Sequence, residues 1–384
     1  MAEEISEKLP FISYGRQSID QDDVDAVSRV LFSDWLTTGP KVTEFEEKIA
    51  AFVGARFGVA VNSGTAALHA AMYALGIGPG DEVIVPAMTF AATANAVVYQ
   101  GGRPVFVDVE AETLLISSAD VERLISARTK AIVAVDYAGQ PCDYEALRAI
   151  ADLHGLALVA DGCHSLGASE NGNPVGTLAD MTVFSFHPVK HITTGEGGMI
   201  VSDNEEFAAK MQRFRNHGIS TDHFKRQKEG TWHYEMVELG FNYRISDILC
   251  ALGISQLQKL PGWLARRRAI AERYDLEFQD HTAVTPLSVR SGVEHAYHLY
   301  VVQLAKGVSR EKVFRDMRQA GIGVNVHYVP VHMHPFYRNN FGTAPGLCPV
   351  AEEAYERVLS LPMHQGLSDD DVQRVTRALW EALK

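Results

Sequence analysis

The sequence predicts an α/β fold, with a mostly parallel seven-stranded sheet in a large domain and a smaller C-terminal α/β domain. Three observations predict it. Short Val- and Ile-rich runs alternate with helix-patterned stretches over the first two-thirds of the 384 residues. Those runs are apolar throughout rather than alternating, as strands covered on both faces read. Beyond about residue 240 the pattern changes to long helices with few strands between them.

The first 40 or so residues, including DVDAVSRVLFSDWLTTGP, read as an arm that folds back as helix and loop. Strands are expected at FGVAVN (57–62), DEVIVPA (81–87), PVFVDV (104–109), KAIVAVDY (130–137), LALVAD (156–161), MTVFSFH (181–187) and GGMIVSD (197–203). Helices are expected between them at 65–76, 90–101, 120–127 and 144–155. Only the turn HPVKHITTGEGG joins the sixth strand to the seventh, too short for a helical crossover, so this pair should be antiparallel. After residue 240 a long helix contains Pro261, expected to break or kink it. HLYVVQLA (298–305) and GVNVHYVP (323–330) read as strands, and 350–384 as closing helices. The expected division is a large domain with its N-terminal arm over 1–245 and a small domain over 246–384. The run Arg266-Arg267-Arg268 reads as a solvated helix face.

Composition narrows the function. There are 35 Lys and Arg against 48 Asp and Glu, a net charge of −13, which disfavours a protein built to grip nucleic acid or an anionic membrane. No convincing helix-turn-helix motif is present. The four cysteines are far apart and form no Cys-x-x-Cys pair. The start, MAEEISEKLPF, has no apolar leader, and no apolar run approaches ~20 residues. The expectation is a reduced, cytoplasmic enzyme or binding protein with no nucleic-acid or membrane partner. His327, His332 and His334 lie close together, but no carboxylate or cysteine completes a ligand set, so no metal is expected. No Gly-x-Gly-x-x-Gly follows the first strand, which argues against a nicotinamide dehydrogenase.

Open α/β sheets bind ligands at the carboxyl ends of their parallel strands. The fifth strand ends in Asp161. The sixth leads into Ser185, His187 and Lys190, and the first into the helix-opening turn Ser63-Gly64-Thr65. Taken singly, each has a plain structural role: a helix cap, a surface lysine, a tight turn. Together they match what pyridoxal phosphate (PLP) requires. A helix start cradles phosphate, with Gly64 permitting close approach. A lysine holds the cofactor as a Schiff base, and an acid keeps its ring nitrogen protonated. Phe90 is placed to stack on the ring or to fill the core.

The segments WLTTGP, NSGTAALHAAM, PAMTFAATANAV, DGCHSLG, FSFHPVKHITTGEGGM and LGFNYRISDILCALGISQL, in this order and spacing, resemble the DegT/DnrJ/EryC1/StrS family of sugar aminotransferases across essentially the whole chain. The resemblance implies a fold-type-I PLP-dependent transferase acting as a homodimer with shared active sites. It implies Lys190 as the catalytic lysine, Asp161 as partner of the ring nitrogen, and Phe90 as the stacking ring. Gly64, Thr65 and Ser185 would meet the phosphate. His164 stands where the family more often has Gln, near O3′ of the cofactor, which leaves its hydrogen bond open. Asn242 matches an asparagine that reaches the phosphate of the neighbouring subunit. A related branch carries histidine at the lysine position and is a 3-dehydratase; the lysine here implies transamination.

Within the family, KAIVAVDYAG, FSFHPVKHITTGEGG, RFRNHGI and VHYVPVHMHPFY are most similar to the transaminases of pseudaminic acid synthesis. These aminate C4 of a UDP-linked 4-keto-6-deoxy-N-acetylaltrosamine. That implies a nucleotide-linked keto sugar and L-glutamate as substrates, with sugar contacts from Tyr14, Asp34, Trp35, Leu36, Thr37, Ser63, His327 and Tyr328. The alternative is another nucleotide-sugar 3- or 4-aminotransferase, of the perosamine, 4-amino-arabinose or bacillosamine type.

Overall fold

The computed structural model describes residues 10–221, 226 and 230–384. Most of the acidic start in which no apolar leader is read, residues 1–9, lies outside them.

The chain opens with α1 (Gln21–Leu31), started by a capping box between Asp20 and Asp23, and α2 (Pro40–Val53), which has Pro at its first position and ends at the left-handed Gly54. Then come β1 (Phe57–Val61), α3 (Gly64–Ala74), β2 (Glu82–Pro86), α4 (Ala91–Tyr99) and β3 (Arg103–Val107). They are followed by α5 (Ser118–Leu124), β4 (Thr129–Val135), α6 (Tyr144–His154) and β5 (Ala157–Asp161). A small hairpin, β6 (Ser169–Glu170) and β7 (Asn173–Pro174), precedes β8 (Met181–Ser185), β9 (Gly198–Ser202) and α7 (Glu205–Phe214).

The seven-stranded sheet has the order β1-β9-β8-β5-β4-β2-β3. Its pairings are parallel except those of β9, which runs antiparallel to both β1 and β8. The short connection from β8 to β9 dictates this, as the sequence predicts. Each expected strand of the first two-thirds is present, with ends shifted by at most two residues. Apolar residues cover both faces: Val59, Ile84 and Ile132 in one cluster, Ala60, Phe184 and Val201 in another.

A single helix, α8 (Asp247–Phe278), follows. Its first half packs Leu257, Leu260 and Leu264 with Phe45 and Ile49 of α2. Its second half packs Ile270, Tyr274 and Phe278 into a separate apolar cluster. That cluster is completed by β12 (Tyr300–Leu304) and β13 (Val358–Leu361), which with β10 (Val284–Pro286) form an antiparallel sheet ordered β10-β12-β13. The short β11 (Val293–Glu294) pairs with β6. Helices α9 (Arg310–Gln319), α10 (Pro335–Phe341), α11 (Pro349–Arg357) and α12 (Asp369–Ala382) complete the chain. Residue 12 of the N-terminal arm pairs with Ile322, and the Met363 amide donates to the Tyr14 carbonyl at 2.9 Å, which brings Tyr14 beside residues 325–328.

Four expectations are corrected. The helix does not break at Pro261: the proline is exposed, and the helix continues through it with Leu257, Leu260 and Leu264 buried on either side. GVNVHYVP is not a strand. It touches a sheet only where Asn325 bridges Ser360, and then turns to place Tyr328 against Met88 and His164. Conversely Val358–Leu361, read as helix, is a buried strand, because the four residues VLSL are too few to carry a period that separates the two.

The fourth correction concerns Arg266-Arg267-Arg268, which is not a solvated face. Arg267 is fully buried and donates to the carbonyls of Tyr297 (3.0 Å) and Met363 (3.0 Å) and to Gln365 Oε1 (3.1 Å). Arg266 donates to Asp369, and Arg268 to the carbonyl of His295. Successive residues of a helix point about 100° apart, so three arginines in a row reach three different segments.

Arg267→Ala removes a fully buried side chain and leaves three acceptors without their donor, that of Met363 buried and those of Tyr297 and Gln365 partly buried, and is expected to cost about 2–4 kcal/mol. Arg268→Ala, at a half-buried position, should cost about 1 kcal/mol. Urea denaturation of both variants measures the difference; equal losses would contradict the structural role given to Arg267.

Candidate active site

Several chain segments converge at the carboxyl edge of the sheet around a cavity of about 430 Å³. The first wall is the start of α3. Ser63 caps the helix, its hydroxyl accepting from the Ala66 amide at 3.1 Å. The N–H groups of Gly64 and Thr65 have no hydrogen-bond partner among the described residues. A side chain at Gly64 would stand 3.0 Å from Cβ of Ser185, so glycine lets the Ser185 hydroxyl approach those free amides. The GEGG turn serves the same wall. A Cβ on Gly198 would fall 2.4 Å from the Ser63 carbonyl, so β9 can lie against the helix start only as glycine. Free amides at the positive end of a helix, with a hydroxyl beside them, form an anion site.

Asp161, at the end of β5, supplies the acid. It is buried, and Thr93 Oγ1 donates to its Oδ2 at 2.7 Å. The Cys163 amide donates to Oδ1 at 3.3 Å. Thr93 is held in turn by Thr89, at 2.8 Å. The carboxylate is therefore aimed from behind and keeps acceptor capacity toward the cavity.

Lys190 follows β8 in a tight turn, its amide donating to the His187 carbonyl at 2.9 Å. Its Nζ has no hydrogen-bond partner among the described residues and belongs to the same cavity as Asp161. Burial pushes its pKa below the usual lysine range, while the negative charges of Cys163, were it ionised, and Asp161 work in the opposite direction. Phe90 caps α4 at the mouth and is 61% exposed, a large apolar ring left uncovered 6.0 Å from the ring of Tyr328. His164 is buried on the far wall. Tyr328 Oη lies 3.2 Å from its Nε2, and its Nδ1 has no partner among the described residues. Burial first, then the charge of Lys190, hold His164 well below the ordinary histidine pKa, so it is neutral.

These groups fit PLP: an anion cradle for the phosphate, an aimed carboxylate for the ring nitrogen, an open aromatic face, and an amine of lowered basicity. Of the residues singled out in the sequence, Gly64, Thr65, Phe90, Asp161, His164, Ser185 and Lys190 meet in this cavity. So do Tyr14, Ser63, His327 and Tyr328. Asn242 and Asp34, Trp35, Leu36 and Thr37 do not line it. Asn242 is exposed, meeting Asn62 through its backbone carbonyl, and Asp34, Leu36 and Thr37 are exposed in the loop after α1. The sequence reading missed Thr89, Thr93, Cys163, His298 and Asn325, which also border the cavity. Only the i,i+4 spacing of Thr89 and Thr93 at the start of α4 hinted at a shared direction.

Among the described residues no group of three His, Cys, Asp or Glu side chains could hold a metal ion. His332 is paired with Glu352 at 2.8 Å, and His327 faces Ser360. No helix of the described residues is long and apolar enough to cross a membrane.

The DegT/DnrJ/EryC1/StrS aminotransferase family model matches residues 17–380. The chain is 40% identical to the spore coat polysaccharide biosynthesis protein SpsC of Bacillus subtilis, over 99% of each chain. Among solved structures it is similar to Helicobacter pylori PseC, an aminotransferase involved in the biosynthesis of pseudaminic acid, with TM-score 0.91 and 33% identity over 97% of this chain and 99% of that one. It is equally similar in fold to the PLP form of Streptococcus pneumoniae Spr1654, with TM-score 0.91 and 32% identity over 97% of this chain and 100% of that one.

The lowered basicity of Lys190 has a measurable sign. Only the neutral amine attacks an aldehyde, so capture of added PLP should quicken as pH rises through the lysine's pKa. The midpoint is expected below that of an ordinary lysine. Stopped-flow absorbance of cofactor-free protein mixed with PLP measures it; a midpoint at or above the free-lysine value would contradict the burial argument.

Proposed function

Because the chain belongs to the DegT/DnrJ/EryC1/StrS aminotransferase family, we propose that this PLP-dependent sugar aminotransferase moves an amino group from L-glutamate to C4 of a UDP-linked 4-keto-6-deoxy-N-acetylhexosamine. The product is UDP-4-amino-4,6-dideoxy-N-acetyl-β-L-altrosamine, a precursor of pseudaminic acid. The full-length likeness to PseC carries this choice of sugar.

PLP, when bound, supplies an aldehyde carbon and a ring that draws electrons from the substrate carbon. The protein's own groups divide the remaining work. The Gly64 and Thr65 amides and the Ser185 hydroxyl receive the phosphate. Asp161, aimed by Thr93, would accept the hydrogen bond of the protonated ring nitrogen and stabilise its charge. Phe90 would offer its exposed aromatic face to the cofactor ring. Lys190 Nζ holds the cofactor between turnovers. When displaced, it is the base that takes the proton from the amino donor's Cα and, in the second half, the acid that returns one to the sugar carbon. A histidine at this position could not make the covalent link, so the lysine favours transamination over dehydration.

The protein works as a homodimer with shared sites in this reading. Asn242 and Asp34–Thr37 lie outside their own chain's cavity. Trp232, Met236 and Leu239, on the segment leading to Asn242, are exposed apolar side chains of the kind a second copy covers. Four free thiols, three of them buried, accord with a reducing cytoplasm.

A second reading is favoured by the likeness to SpsC: a different nucleotide-linked keto sugar, as in perosamine, 4-amino-arabinose or bacillosamine synthesis. Mass spectrometry of UDP-, GDP- and dTDP-4-keto sugars incubated with enzyme and glutamate separates the two. The expected result is amination of the UDP-altrosamine precursor, with turnover falling at least ~10³-fold in Lys190→Ala. Turnover of only a GDP or dTDP sugar would replace the first reading by the second. Normal turnover in Lys190→Ala would remove the lysine from the chemistry.

A further inference from the structure

We infer that Asn325 and Ser360 lock His327 in the form protonated on Nδ1, so that its bare Nε2 edge meets the substrate as a hydrogen-bond acceptor and selects a sugar with a hydroxyl or amide N–H at that point. The inference rests on the reading of this cavity as a nucleotide-sugar site, and deepens it.

The lock follows from a chain of assignments. Asn325 Oδ1 accepts from the Val326 amide at 2.9 Å, which fixes that atom as the oxygen. The other terminal atom, Nδ2, is therefore the one 3.3 Å from His327 Nε2. An amide NH₂ group can only donate, so Nε2 must be unprotonated. A neutral imidazole then carries its proton on Nδ1, and Ser360 Oγ accepts it at 2.8 Å. Both gripping residues are held by backbone. Asn325 and Ser360 form an antiparallel bridge, with reciprocal bonds of 3.1 and 2.8 Å, so their side chains flank one ring from adjacent strand positions. The Tyr137 hydroxyl also donates to the His327 carbonyl.

The direction of the free edge follows from burial. Ser360 is buried and does not line the cavity, whereas Asn325, His327 and Tyr14 do. The ring thus turns its donor inward and its acceptor toward the cavity, with the Tyr14 ring 5.6 Å away. The contact to Asn325 is long and weak, so a substrate hydroxyl or N–H can displace it from the single lone pair of Nε2, while Ser360 keeps the proton on Nδ1. Burial, and then the charge of Lys190, push the pKa of His327 down to about 4, so the ring stays neutral near pH 7. His327 is then unsuited to act as a general acid there, and Asn325 and Ser360 are positioning residues that act through it.

The test is nitrogen NMR of the PLP-loaded enzyme labelled with ¹⁵N-histidine, with His327 assigned by His327→Gln, alongside sugar kinetics. The wild type should show protonated Nδ1 and bare Nε2 without substrate. Asn325→Asp replaces the donor by an oxygen. It should move the proton to Nε2 and raise KM for the keto sugar tenfold or more, with a smaller fall in kcat. Ser360→Thr keeps the hydroxyl and should restore the wild-type spectrum and KM, which Ser360→Ala should not. A wild-type spectrum with protonated Nε2 would overturn the lock. A tautomer exchange in Asn325→Asp with unchanged KM would overturn its role in selection. Failure of every keto sugar to react would instead sink the functional reading, while the substrate-free spectra still judge the lock.

Discussion

Burial of one amine beside one carboxylate is the constraint on which the site depends. Lys190 and Asp161 come from neighbouring strands, β8 and β5, whose parallel pairing brings their carboxyl ends to the same edge. In water, the amine would be almost wholly protonated at neutral pH and the carboxylate would be a weakly bound hydrogen-bond acceptor. In the cavity, desolvation works against the ammonium form while the acid limits how far the shift goes. The histidines of the wall feel the same low-dielectric surroundings. His164, His298 and His327 are all held below the ordinary histidine range, so the cavity combines one adjustable amine with fixed neutral rings. Neutral rings can be oriented by hydrogen bonds without competing for protons that the reaction needs.

Much of the sheet is legible in the sequence because its cause is local. A doubly covered strand must be apolar on both faces, and a twelve-residue turn cannot make a helical crossover. Those two facts predict the strands and the reversed direction of β9. Lys190, Asp161 and the Ser63-Gly64-Thr65 turn are legible for a related reason: each stands immediately after a strand, where the fold requires an edge. What the sequence hides depends on partners far along the chain. Arg267 looks like any helix-surface arginine until Tyr297, Met363 and Gln365 surround it. Thr93 becomes part of the site only because Asp161 ends beside it, and Ser360 only because its strand meets Asn325.

The same distinction separates the two walls of the cavity. The cradle, the acid and the amine come from α3, β5 and β8, all parts of the large sheet and its first helices. The far wall, residues 325–328 with Tyr14, comes from an irregular segment and from the N-terminal arm, which is held by backbone bonds between Ile12 and Gly321 and Gly323 and between Tyr14 and Met363. The cradle, the acid and the amine thus stand on regular elements, while the opposite wall, which we propose meets the sugar, stands on segments whose course can change without disturbing the sheet.

Helix α8 has a further consequence. At 1.5 Å per residue its 32 residues span about 48 Å, and it contributes side chains to two otherwise separate apolar clusters. A cut at residue 245 would strip Leu257, Leu260 and Leu264 from Phe45 and Ile49, and leave the opposite fragment with a naked greasy stripe along half its first helix. A rod shared in this way is expected to make the two clusters melt together, so that a piece cut near that residue should fold poorly alone.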